Sequence, residues 1–139
     1  MKKIGLLVIA LMMVASVAFA QNITPGNLPD LKGTWVGILT FQVGVTCPAE
    51  LVIQNDSVPV KATLTVSMIP ETIAMQIGAS GGVATARHTA SSDDGKITTQ
   101  GSLMFAGNKN FFEFFLKRDK LDGWFYYNGA RGDVVLHKK

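Results

Sequence analysis

The sequence predicts an all-β fold, an antiparallel up-and-down β-barrel of about eight or nine short strands. Three observations carry that prediction. Apolar and polar residues alternate with a period of two over most of the span from Trp35 to Leu136, which is the mark of strands with one buried face. Short segments rich in Asn, Asp, Ser and Gly separate the alternating runs, as tight antiparallel connections require. Beyond residue 20 no stretch carries a long period of 3.6. A long sheet with one apolar face buries it best by closing on itself, which also removes exposed edges. A two-sheet sandwich is the alternative.

Taken in order, residues 1–20 read as a cleavable secretory signal peptide with a helical apolar stretch. Lys2 and Lys3 open it, an apolar run fills residues 4–14, and Ala18-x-Ala20 is the small-residue pattern that signal peptidase accepts before Gln21. The alternative is an uncleaved anchor. The run to Ala20 is 17 residues, at the short edge of the roughly 17–25 that span a bilayer. The polar pair Gln21-Asn22 follows it, with no basic stop-transfer residues. The expected destination is the periplasm or the medium, with no stable transmembrane segment after processing. Residues 21–32 hold two prolines and a glycine in a polar setting and read as a flexible N-terminal segment. Residues 33–139 form the single barrel domain.

The clearest strand is residues 60–68, where Val60, Ala62, Leu64, Val66 and Met68 alternate with polar residues. A strand puts all five on one face; a helix would scatter them. Further strands are expected at 35–43, 49–54, 72–77, 83–90, 96–105, 111–117, 121–127 and 133–137. In the segment 72–77, Ile73, Met75 and Ile77 share a face. Residues 91–95, Ser-Ser-Asp-Asp-Gly, read as a turn.

Composition excludes some functions. Without its first 20 residues the 139-residue chain keeps 119, and its formal charge falls from +3 to +1 as Lys2 and Lys3 leave. So small a charge gives no basis for nucleic-acid binding, which needs a basic face. Cys47 is the one cysteine, so an intramolecular disulfide is impossible and the core must stand on burial and backbone pairing. Cys47 reads as a small buried residue, a free thiol or an intermolecular link.

Gly33-Thr34-Trp35, at the start of the first strand of the domain, resembles the opening of the calycin superfamily, the lipocalins, fatty-acid-binding proteins, avidins and their bacterial relatives. The closing run from Leu121 to Phe125 and from Gly132 to Leu136 resembles small secreted lipocalin-like domains of bacteria. The resemblance implies a barrel, with Trp35 closing one end and Arg131 packed over its ring as a cation–π pair. It also allows a small-ligand pocket. The second lipocalin loop motif and the usual disulfide are missing.

No chemistry stands out. His88 and His137 are the only histidines, and neither has neighbours at metal-ligand spacing. Residues 88–93 contain His, Ser and Asp close in sequence, which is not triad geometry. No catalytic residue, metal or cofactor is assigned. Glu113 lies among Phe111, Phe112, Phe114 and Phe115. It either faces inward, as a ligand head-group partner, or stands outside beside Lys117. Arg131-Gly132-Asp133 reads as the lead-in to a strand rather than an adhesion signal.

The expected function is therefore a non-enzymatic secreted or periplasmic binding protein. A small apolar ligand would sit inside, against Leu64, Val66, Met75, Leu103, Phe112 and Phe114. The alternative is a solid barrel that meets a protein or the cell envelope through its aromatic hairpin. Alternation puts Phe111 and Phe115, or Trp124 and Tyr126, on the face opposite the core, where an apolar patch marks a contact site. A filled interior would favour the second reading.

Overall fold

A computed structural model describes residues 20–79, 86–107 and 109–139. Apart from Ala20, the expected signal peptide lies outside the described residues, as does the first part of the strand expected at 83–90. The elements run β1 (Ala20–Gln21), α1 (Leu28–Leu31), β2 (Gly33–Phe41), β3 (Thr46–Ile53), β4 (Val60–Val66), α2 (Glu71–Ile77), β5 (His88–Ile97), β6 (Leu103–Ala106), β7 (Asn110–Lys117), β8 (Lys120–Tyr127) and β9 (Ala130–Lys138). From β2 to β9 each strand pairs antiparallel with the next. β9 then returns to β2, from Trp35↔Lys138 to Phe41↔Gly132. The result is a closed eight-strand up-and-down barrel, which decides against the sandwich.

Alternation builds the core as the sequence predicts. Val60, Ala62, Leu64 and Val66 are buried along β4, and Phe112, Phe114 and Leu116 along β7. The inward side chains pack on one another; Phe105 and Phe112 stack with centroids 4.7 Å apart. Leu39, Leu51, Leu64, Leu103, Phe105, Phe114, Phe125, Val134 and Leu136 all have 0% accessible surface. A side chain beside a void that admits water would keep surface toward it, and these keep none. Burial of each large apolar side chain stabilises the fold by about 1.5–3 kcal/mol.

Both barrel ends are stoppered. At one end Ile23, Leu28 and Leu31 are each 1% exposed, and Trp35 Nε1 donates to the Leu31 carbonyl at 2.8 Å. The segment at 21–32, expected to be flexible, is thus a packed plug. Its apolar residues are few but share one side, and Asn27 ties the turn together by accepting from Thr24 N–H and donating to the Asn22 carbonyl. β6 pairs with β7 only from Phe111 to Phe114. β1 takes up the remainder of that edge, with Ala20↔Lys117 and Gln21↔Leu116.

The other end is closed by α2, where a strand was expected. Ile73, Ala74 and Ile77 are buried, a helical spacing that the period-two reading of Ile73, Met75 and Ile77 mistook. Pro70 precedes the helix, Glu71 lies in its first turn, and Gly78 ends it at φ 67, the left-handed cap that glycine takes without strain. Met68 has φ 53 and is 64% exposed, so β4 stops at Val66, short of the expected end.

Two further expectations change around β5. Residues 91–95 lie within this ten-residue strand, not in a turn. The register slips by one residue between Ala62↔Ser92 and Val60↔Gly95, a bulge that takes up the exposed Asp93 and Asp94. Gly95 is required there, because a Cβ would lie 2.4 Å from the Phe105 ring. The strand expected over 96–105 is broken by a turn that Gly101 makes at φ 82.

Candidate functional site: an aromatic platform on the outer wall

With Phe112, Phe114, Leu116 and Phe125 committed to the interior, the pleat sends Phe111, Glu113, Phe115, Trp124 and Tyr126 outward. The β7–β8 register sets Phe111 opposite Tyr126 and Glu113 opposite Trp124. The β8–β9 register sets Tyr126 opposite Arg131 and Trp124 opposite Asp133. Four aromatic rings and an arginine therefore share one outer face, and Tyr126 is 43% exposed.

Trp124 is the centre of this face. Its ring stacks on Phe111 at 4.6 Å and 29°. From the strand on the other side, the Arg131 guanidinium carbon lies 4.7 Å from the ring centroid, a cation–π contact. Trp124 Nε1 donates to Glu113 Oε1 at 3.1 Å. Ser102 Oγ donates to Glu113 Oε2 at 2.7 Å. Ser102 N–H donates to Thr98 Oγ1 at 3.1 Å, and the two hydroxyl oxygens are 2.5 Å apart. Since the Ser102 proton goes to Glu113, Thr98 donates to Ser102. Glu113 thus stands on the outer face with both oxygens occupied, and it fixes the indole. Ser102, at 0% exposure, is the buried polar residue beneath.

A groove of about 390 Å³ opens beside the platform, lined by Gly107, Lys109, Asn110, Phe111, Tyr126 and Asn128. Both of its amides are anchored. Asn110 Oδ1 meets His88 Nε2 at 3.1 Å. Asn128 Nδ2 donates to the Gln76 carbonyl at 2.7 Å, and Gln76 Nε2 donates back to the Asn128 carbonyl at 3.3 Å. The last pair also latches α2 to the β8–β9 turn.

The residues expected to line an internal ligand are divided. Leu64, Val66, Leu103, Phe112 and Phe114 do face inward, where they pack as core at 0–1% exposure. Met75 does not: it lies on the outer side of α2 at 77% exposure, because that segment is a helix. The expected Trp35–Arg131 pair does not form. β9 runs antiparallel to β2, so Lys138 falls opposite Trp35 and Arg131 lies at the far end, its carbonyl accepting from Gln42 N–H. Lys138 Nζ takes the place over Trp35, 6.0 Å from the ring centroid.

Arg131 on Trp124 was within reach of the sequence. Counting outward from the Asn128-Gly129 turn sets 131 opposite 126, beside 124. The Ser102–Glu113 contact had no such signal, since it crosses from a turn to a different strand. His88 faces inward, 4.5 Å from the Tyr127 ring. Cys47 is buried with Sγ 3.7 Å from the Met68 carbonyl, and burial raises its thiol pKa. Among the described residues, no three His, Cys, Asp or Glu side chains converge as a metal site would need. No protein family, curated protein or solved structure matches the chain.

Proposed function

We propose that this chain is a non-enzymatic binding module, a secreted or periplasmic barrel of calycin type that meets its partner through the outer wall of β7, β8 and β9. One observation carries the reading. The large apolar side chains of the core are buried, whereas on the outer wall Phe111, Phe115 and Trp124 are half-buried and Tyr126 is exposed. The platform is also held in place beforehand by Glu113 and Arg131. A fixed surface loses less side-chain freedom on binding. The calycin likeness rests on Gly33 and on Trp35 at the stoppered end, with Lys138 in the place expected of an arginine.

A photo-crosslinking residue at position 126, compared with one at position 63 across the barrel, tests this in the living host. Adducts from 126 alone are expected. Equal adducts from both positions, or none from either, would reject the reading.

A second reading keeps the small apolar ligand but moves it beneath α2. On the β3–β5 side of that end Cys47, Ala49 and Ala90 are small, and Ile69, Ile73 and Ile77 supply much of the bulk beside Val66. A ligand would take the place of these isoleucines as α2 swung out. Titration with the fluorescent fatty acid cis-parinaric acid tests it. Saturable binding is expected on this reading, and no binding would discard it.

A further inference from the structure

Residues 21–23 combine a fixed main chain with one unused side chain. Gln21 pairs with Leu116 at the edge of β7. Ile23 N–H donates to the Gly101 carbonyl at 2.8 Å, and its side chain is 1% exposed in the plug. Between them, the Asn22 carbonyl accepts from Asn27 Nδ2 at 2.9 Å. Asn22 also lies so close to Gly101 that a Cβ there would collide with it. The backbone is therefore tied on both sides of Asn22. The Gln21 side chain is exposed, and no described residue bonds its carboxamide. Gln54 and Gln76 differ, since each donates its amide to a neighbour.

Cleavage between Ala20 and Gln21, which Ala18-x-Ala20 directs, makes Gln21 the first residue and gives it a primary amine. Amine and carboxamide then belong to one residue, spaced to close a five-membered ring. Such an attack is intramolecular and needs no encounter with a second molecule. We propose that Gln21 is a modification site, where the processed chain closes its own end to pyroglutamate. The amine nitrogen attacks the side-chain amide carbon, and the new C–N bond forms the lactam. The bond from that carbon to the amide nitrogen breaks. The departing nitrogen takes the proton that the amine gives up and leaves as ammonia. Nothing is oxidised or reduced, and no other reactant is consumed.

The closure calls for rotation within Gln21 alone, so the Ile23–Gly101 bond and the plug are undisturbed. It turns a charged amine into a neutral lactam that keeps one N–H donor. The change has a use at this place. Chain ends are where proteolysis concentrates, and an aminopeptidase holds its substrate by the free amine. Gln21 stands two residues before Ile23, which is part of the barrel's stopper. A closed ring keeps trimming from reaching it. This rests on the reading that the chain is secreted and processed before Gln21.

Intact mass and Edman degradation of the undigested chain, purified from its own host, test the proposal. The mass is expected to be that of residues 21–139 less one ammonia. The end should resist Edman degradation until pyroglutamyl aminopeptidase removes the first residue. Gln21→Ser should have the full mass expected of its sequence, a readable end and the same urea midpoint. Leucine aminopeptidase should shorten the Gln21→Ser chain and spare the natural one. A chain that starts at Gln21 with its full mass and a readable end overturns the closure and keeps the secretory reading. A chain that starts at Met1 overturns both. Equal shortening of the two chains, or none in either, overturns the protection of Ile23.

Discussion

The two sides of the barrel wall both turn apolar residues inward but have opposite outer faces. On β3, β4 and β5 the outward residues include Thr46, Glu50, Lys61, Thr63, Thr65, Thr89 and Ser91. They suit a pleated surface facing water, and their cross-strand bonds are single hydroxyl contacts such as Thr63 with Ser91 at 3.2 Å. On β7, β8 and β9 the same positions hold Phe111, Phe115, Trp124, Tyr126 and Arg131. Both sides bury apolar side chains inward, and the polar side does so without aromatic rings outside. The difference teaches that the inner layer makes the fold and the outer layer of β7–β9 answers to something else.

The comparison breaks most readily within one strand. Phe114→Ala removes a ring at 0% exposure and should cost about 3–5 kcal/mol. Phe115→Ala, one residue on and only partly buried, should cost less, roughly 1 kcal/mol. Urea unfolding of the pair measures both; equal losses would mean that the outer ring is part of the core.

Glu113→Ala should cost about 1–3 kcal/mol, because the buried Ser102 hydroxyl loses its acceptor. The emission of Trp124 should change with it. A variant of unchanged stability and emission would show that the carboxylate does not hold the platform.

A smaller effect depends on pH. Burial raises the Cys47 thiol above its ordinary value of 9.0. Below that value the thiol is neutral in both folded and unfolded chains, and its contribution is whole. As pH rises past it, the unfolded chain releases the proton and the folded one holds it, so stability falls. Unfolding measured on either side of pH 9.0 should show a shallower decline in Cys47→Ala than in the natural chain. The smallest change is expected from Thr63→Ala on the polar side, within about 0.5 kcal/mol.

Much of the fold was legible in the sequence because a period of two is local and dense. Residues 60–66 and 111–117 read correctly from alternation alone. The helix over Glu71–Ile77 did not, since Ile73, Met75 and Ile77 satisfy period two while Ile73 and Ile77 also satisfy a helical turn. Pro70 just before Glu71 was the signal to weigh. The plug at 21–32 was hidden because Ile23, Leu28 and Leu31 are three apolar residues among prolines and amides, and they are buried only once a barrel end exists to receive them. For the site, the sequence marked the aromatic hairpin and left its face open. That choice turns on which rings the other strands leave room for inside, and the Ser102–Glu113–Trp124 contact depends on strand neighbours that no local pattern encodes.

The central claim, that this barrel works from its outer wall, meets its most direct test in native mass spectrometry of the chain purified from its own host. A mass equal to the processed polypeptide alone is predicted, unchanged by extraction with organic solvent. A small apolar molecule that co-purifies, leaves on extraction, and is no longer retained by Ala90→Phe would contradict it.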